Sequence, residues 1–136
     1  MAVTIDVEYG GDLHCTAVHG PSGDRIATDA PTDNEGRGEH FSSTDLVATG
    51  LATCVLTVMG IAARQRGWAI EGARARVVKE MGAVPRRHIA RLELLVELPA
   101  SLDARARTLL ERVARECPVT ASLGPATAVL VRFDYV

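Results

Sequence analysis

The chain has 136 residues, of which 47% are hydrophobic and 24% charged, and its formal net charge at pH 7 is −2. These values are typical of one soluble globular domain, so we expect a single domain over residues 1–136. The weak net charge and the presence of only two Tyr, two Phe and one Trp argue against a nucleic-acid-binding surface. The N-terminus has no basic segment followed by an apolar run, which favours a cytoplasmic protein.

The longest uncharged stretch, residues 46–63, has the length of a short membrane span. Its threonines, glycines and alanines favour a buried helix in a soluble protein instead, with no membrane partner. The chain has three cysteines: Cys15, Cys54 and Cys117. An odd number without a secretory signal argues against a disulfide framework. Their spacing contains no CxxC motif, so we expect neither a metal site nor a cofactor.

Three short strands and a polar loop are predicted for the first 40 residues. Partial alternation of apolar and polar residues indicates strands over 2–9, 13–18 and 25–28, and the glycine-rich turns between them indicate an antiparallel meander. Residues 29–40 are polar and lack hydrophobic periodicity. Loops of this length in small domains are often functional.

A long helix is predicted over residues 44–65, with Ser43 as its N-cap and Asp45 in its first turn. Its middle is apolar on every face, so it has to be enclosed on most sides. Gly50 and Gly60 are unfavourable in a helix and usually mark the close approach of another backbone. A chain of this size can hardly surround such a helix, which implies a partner subunit.

The rest of the chain predicts a hairpin, two helices and a closing strand. The hairpin strands are 71–81 and 89–98, and the second of them alternates cleanly between apolar and polar residues. Ser101 is the predicted cap of an amphipathic helix. Cys117 precedes a proline, so it is the predicted N-cap of a short helix over 118–123. With a last strand over 126–135, the order is βββ-α-ββ-α-α-β, an α+β domain with antiparallel sheet.

Two of the cysteines occupy positions where chemistry is plausible. Cys117 would lie at the positive end of a short helix, which stabilises the reactive thiolate. Cys54 lies about three turns into the long helix, where burial disfavours the thiolate unless a charge compensates. Buried cysteines are more often small hydrophobic residues, and that alternative stays open for both. Cys15, in a strand, is expected to serve only packing.

The flanking residues resemble the motifs of the OsmC/Ohr family. The first motif is Phe41-Ser-Ser-Thr-Asp-Leu-Val-Ala-Thr-Gly-Leu-Ala-Thr-Cys54, preceded by Asp29-Ala-Pro31. Downstream come Pro85-Arg-Arg-His-Ile-Ala-Arg-Leu-Glu-Leu and then Glu116-Cys-Pro-Val119 with Ser122-Leu123. The resemblance covers nearly the whole chain and the order of its elements.

That resemblance implies a fold, an assembly and an activity. The fold would be an intertwined homodimer, with antiparallel sheets from both chains wrapped around the long central helices. The activity would be a thiol-dependent peroxidase that reduces small organic hydroperoxides. Cys54 would be the peroxidatic residue and form a sulfenic acid, and Cys117 would resolve it to a disulfide. An external dithiol would then reduce that disulfide.

The sequence departs from the family where the first thiolate is activated. Peroxidases of this family use an N-terminal arginine held by a glutamate, whereas the corresponding stretch here is Gly10-Gly-Asp-Leu-His14. The glutamate position falls at Thr44, beside Asp45. Arg37 and His40 are candidate replacements, with Asp45 to orient either of them. Instead of activating Cys54, Arg37 and His40 could be solvated loop residues. Asp45 could serve only to compensate the helix dipole.

Two other functions are therefore kept beside the peroxidase. One is a non-enzymatic protein that binds a small hydrophobic ligand in an apolar pocket at the dimer interface, since an unactivated Cys54 would be a protonated thiol of low reactivity. The other is a redox sensor in which the disulfide changes partner binding. The separation of the two sulfurs in the structure bears on all three hypotheses.

Overall fold

The computed structural model describes all residues, 1–136, and they form two compact units, Met1–Leu46 and Val47–Val136. The element order matches the predicted βββ-α-ββ-α-α-β. Its strands and helices are β1 (Ile5–Gly11), β2 (His14–His19), β3 (Arg25–Asp29), α1 (Ser43–Arg66), β4 (Arg74–Gly82), β5 (His88–Leu98), α2 (Ala104–Arg115), α3 (Pro118–Ser122) and β6 (Ala128–Tyr135).

The first unit is built on an antiparallel meander in the order β1-β2-β3, as the sequence predicts. The β1–β2 turn uses left-handed backbone at Asp12 and Leu13, with φ of 53° and 63°. The loop after β3, predicted to be irregular, contains one 3-10 turn over Thr32–Asn34. Asp29, at the end of β3, organises this loop because its Oδ2 accepts the backbone N–H groups of Arg37 and Glu39.

Helix α1 begins with a reciprocal cap between Ser42 and Asp45. The Ser42 hydroxyl accepts the Asp45 N–H at 3.1 Å, and the Asp45 carboxylate accepts the Ser42 N–H at 2.9 Å. This arrangement is a capping box, with aspartate in the place that glutamate usually takes. The prediction of Ser43 as N-cap is therefore wrong by one residue, because Asp45 pairs with the serine three positions before it.

The second unit packs helices against the sheet β4-β5-β6. Alternate residues of β5 point to the core, and Leu92, Leu94, Val96 and Leu98 are all buried. Their alternation with polar residues is the pattern that predicted this strand. The buried side of α1 joins the same core through Leu51, Val55 and Met59, and α2 contributes Leu110.

The sheet of the second unit is mixed, which corrects the expectation of purely antiparallel pairing. Strands β4 and β5 form the predicted antiparallel hairpin, but β6 runs parallel to β5, with Arg91 opposite Ala128 and Leu98 opposite Tyr135. The physical reason is the connection, since α2 and α3 carry the chain back to the starting edge before β6 begins. Parallel neighbours need such a crossover.

Helix α2 starts later than predicted. Its N-cap is Asp103, whose carboxylate accepts the Ala106 N–H at 2.9 Å, so the prediction of Ser101 as the cap is wrong. Both residues are good caps by type, and only the path of the chain after β5 decides between them.

Helix α1 has one side that this chain leaves uncovered. Val47 and Ile61 are 38% and 47% exposed, and Thr57 is exposed between them. A Cβ added at Gly50 or Gly60 would meet nothing within 4 Å, so no backbone of this chain makes the predicted close approach. Helix α1 is long and apolar enough to cross a membrane, but core helices of soluble proteins meet the same criterion.

Candidate active site

Cys54 and Cys117 are free cysteines that lie close together in the second unit, near enough for each to influence the pKa of the other. Cys54 is on α1 and is partly exposed, whereas Cys117 is completely buried. The backbone N–H of Val119 is close enough to both sulfurs to stabilise a negative charge on either. The structure thus brings together the two cysteines that the sequence singles out.

Cys117 is the N-cap of α3, as predicted from the proline that follows it. Its Sγ accepts the Thr120 N–H at 3.4 Å and lies 3.1 Å from the Thr120 hydroxyl. Both contacts follow from helix geometry, since a cap residue faces the third residue of its helix. The sequence alone gives Thr120 no role, and the contact with Cys117 gives it a place in the site.

The surroundings of Cys117 favour its thiolate. Burial acts to raise the pKa of Cys117, but the hydroxyl and the N–H of Thr120, the Cys54 thiol and the Val119 N–H outweigh it. The pKa of Cys117 therefore lies below that of an ordinary cysteine. Of the two cysteines, Cys117 is therefore the one that ionises more readily.

The surroundings of Cys54 have the opposite effect. Burial raises the pKa of the Cys54 thiol, the Val119 N–H lowers it in part, and the contact with Cys117 raises it further. Within residues 47–136, no guanidinium is among the groups that set this pKa. Attack by Cys54 on a peroxide therefore needs its proton to be removed by a further group or passed to Cys117.

The three other candidate residues make their contacts within the first unit. Arg37 is 68% exposed, and its Nη1 pairs with the carboxylates of Asp12 at 3.1 Å and Glu39 at 3.8 Å. His40 is exposed, and its ring stands edge-on to that of His14, with 5.9 Å between centroids. Asp45 belongs to the capping box of α1. Their assignment to Cys54 activation stays a prediction.

Thr120→Val is expected to raise the pH at which the Cys117 thiolate forms, because valine keeps the shape of the side chain but removes the hydroxyl donor. A group whose pKa is lowered is ionised at lower pH, so loss of the donor moves the titration upward. The measurement is the ultraviolet absorbance of thiolate against pH. Thr108→Val, which removes an exposed hydroxyl on α2, is the matched control. Superimposable curves for wild type and Thr120→Val would contradict the assignment.

Comparison with known proteins agrees with this geometry. The family model of OsmC-like proteins matches residues 36–132. A putative osmotic stress induced and detoxification response protein from Psychrobacter arcticus 273-4 is 40% identical, with a TM-score of 0.92 over 98% of this chain and 97% of that one. The chain therefore belongs to the OsmC family.

Organic hydroperoxide resistance proteins share the fold at lower identity. The OsmC protein of Legionella pneumophila is 18% identical, with a TM-score of 0.76 over 100% of this chain and 98% of that one. OhrB of Bacillus subtilis is 15% identical, with a TM-score of 0.73 over 98% of both chains. No curated protein sequence matches the chain significantly. This chain shares with these structures a mixed α+β fold with two sheets.

Proposed function

We propose that this protein is a cytoplasmic thiol peroxidase that reduces small organic hydroperoxides through Cys54 and Cys117. The observation that carries the proposal is the proximity of the two cysteines, of which Cys54 is partly exposed and Cys117 is buried. A peroxide would approach the partly exposed Cys54, and the buried Cys117 is already beside the product of that attack. The names of the Legionella and Bacillus relatives support the same substrate class.

In the proposed cycle, the Cys54 sulfur attacks the terminal peroxide oxygen and the O–O bond breaks. The alkoxide leaves as an alcohol after taking up the proton lost from Cys54, and Cys54 becomes a sulfenic acid. The Cys117 thiolate then attacks the Cys54 sulfur, displacing hydroxide, which leaves as water after protonation. The pair ends as a disulfide, and an external dithiol returns both residues to thiols by exchange.

The favoured thiolate on Cys117 suits the second step, and it also gives the first step a proton acceptor. Since each cysteine influences the ionisation of the other, the pair can share one proton, so that a fraction of molecules has the charge on Cys54. Arg37 or His40, with Asp45, is the proposed additional activator, in place of the arginine and glutamate that the family resemblance implies. Arg37 would first have to leave Asp12 and Glu39.

The proposed assembly is a homodimer. One face of the first sheet is apolar and uncovered in this chain: Ile5, Val7 and Tyr9 of β1 are each more than half exposed, and Ile26 of β3 is 45% exposed. The uncovered side of α1 adds a second apolar surface. Two copies that cover each other's surfaces would bury both. Sedimentation equilibrium should give twice the chain mass of 14.5 kDa, and a monomer at micromolar concentration would exclude this assembly.

The test of the activity is a stopped-flow reaction of the reduced protein with cumene hydroperoxide. The wild type should consume one equivalent of peroxide per pair of cysteines, and Cys54→Ser should consume none. Cys15→Ser is the matched control, since Cys15 lies in β2 of the first unit and should be dispensable. A wild type no faster than Cys54→Ser would exclude the peroxidase. In that case a hydrophobic ligand found by native mass spectrometry would favour the binding protein instead.

A further inference from the structure

We propose a second site in the first unit, for a divalent first-row transition-metal cation held by His14, Asp29 and Glu39. The three side chains offer one imidazole nitrogen and two carboxylate oxygens, all within 4.8 Å of one another. This inference is independent of the peroxidase, because none of its residues is one of the two cysteines.

The fold places the three donors on one side of the first sheet. His14 and Asp29 are directly opposite each other across β2 and β3, so their side chains leave the sheet on the same face. Glu39 comes back to that face because its backbone N–H donates to Asp29 Oδ2 at 3.0 Å. The loop that Asp29 anchors therefore carries the third donor to the first two.

The hydrogen bonds of His14 leave its second nitrogen facing negative charge. Nδ1 lies 2.6 Å from the backbone carbonyl oxygen of Asp12, and a carbonyl can only accept, so Nδ1 carries a proton. Nε2 lies 3.2 Å from Glu39 Oε1 and 3.6 Å from Asp29 Oδ2. A neutral imidazole would direct a lone pair at two carboxylates, which is repulsive. A cation between the three atoms, or a second proton on the ring, removes that repulsion.

Asp29 supplies the observation that favours a cation over a proton. Its side chain has no exposed surface, and although Oδ2 accepts two backbone N–H groups, Oδ1 is buried without any hydrogen-bond partner. A second proton on the His14 ring would not give Asp29 Oδ1 a hydrogen-bond partner. Buried carboxylate oxygens without partners are costly and often indicate a missing ion. A metal ion bound to both oxygens of the Asp29 carboxylate would give Oδ1 the partner that it lacks.

The spacing suits a metal ion without large movement. Two ligand atoms about 2.1 Å from one ion, at the angles of tetrahedral or octahedral sites, are about 3.0–3.5 Å apart. The contacts of His14 Nε2 are at or close to that range, and Glu39 is half exposed and able to adjust. One imidazole with two carboxylates is a hard-to-borderline donor set that suits zinc, iron, manganese or cobalt. Water would complete the coordination shell.

The charges around the site agree with a divalent ion. The two carboxylates and a neutral imidazole carry −2, which one divalent cation neutralises. Arg37 approaches Glu39 at 3.8 Å but makes its shorter contact with Asp12, so it compensates the cluster only in part.

The test is a Co²⁺ titration of the reduced, metal-free protein, followed by visible absorption and by isothermal titration calorimetry. One equivalent per chain should bind and give ligand-field bands without the sulfur-to-cobalt charge-transfer band that thiolate ligands would produce. Glu39→Gln and His14→Gln should each weaken binding at least tenfold. Glu8→Gln, the same change at an exposed position of β1, should leave it unchanged. Asp29→Asn is avoided as the primary variant because Asp29 also holds the loop.

Three results would overturn the proposal. The first is the absence of saturable Co²⁺ binding, and the second is equal binding by Glu39→Gln and Glu8→Gln. The third is cobalt bound only through thiolates. If the cluster is instead a protonated imidazole between carboxylates, nitrogen-detected NMR will show both His14 ring nitrogens protonated at neutral pH and unaffected by Co²⁺.

Discussion

Cys117→Ser is expected to interrupt the proposed peroxidase cycle after one oxidation, with steady-state turnover reduced by about 100-fold. The reason is that Cys117 is the buried partner in contact with Cys54, and an external thiol that replaces it loses the advantage of an intramolecular reaction. The first equivalent of peroxide should still be consumed, and a sulfenic acid should accumulate on Cys54. Trapping with dimedone followed by mass spectrometry detects that species.

The control for this prediction is Cys15→Ser, which keeps both site cysteines and should turn over like the wild type. Because Cys117 also helps to set the proton balance of the pair, the first oxidation should be slower in Cys117→Ser at neutral pH. Full turnover by Cys117→Ser would show that the Cys54–Cys117 disulfide is not part of the cycle.

Leu110→Ala is expected to lower the free energy of unfolding by about 2–5 kcal/mol, which is a large share of the stability of a small protein. Leu110 has no exposed surface and lies where α2 meets the core of the second unit. Truncation leaves a cavity there that the surrounding helices and sheet cannot fully close. Urea denaturation followed by circular dichroism measures the change.

Leu109→Ala is the matched control, with the same substitution one position earlier on the same helix. Leu109 is only half-buried, so its loss should cost less than about 1.5 kcal/mol. Equal losses of stability from the two substitutions would mean that Leu110 is no more buried than Leu109, and would contradict the orientation of α2.

Much of the fold is predictable because local patterns decide it. The alternation in β5 and the apolar spacing in α2 predict both elements, and the proline after Cys117 predicts the short helix. These local patterns do not determine whether neighbouring strands are parallel or antiparallel, nor which of two suitable residues caps a helix. A strand pattern is the same for either direction of its neighbour, so the parallel pairing of β6 was missed. Neighbouring serines are equivalent caps until Asp45 selects Ser42.

The candidate site divides in the same way. Cys54 and Cys117 stand in recognisable motifs, so the sequence alone singles them out. Thr120 lacked a role in the sequence because its contact depends on the cap geometry of α3. The sequence does not predict the cluster of His14, Asp29 and Glu39, because their spacing matches no metal-ligand motif. They come together only through the register of β2 with β3 and through the hydrogen bond from the Glu39 N–H to Asp29.

The position of Cys117 as N-cap gives the short helix α3 a redox-dependent stability. The Thr120 N–H bonds to a sulfur that accepts well as a thiolate and poorly once it is part of a disulfide. Oxidation in the proposed cycle would therefore loosen the first turn of α3, and amide hydrogen exchange at Thr120 would be faster in the oxidised protein. A partially frayed turn also exposes the buried sulfur to the reducing dithiol. The same cap that prepares Cys117 for attack would thus ease the regeneration of the enzyme.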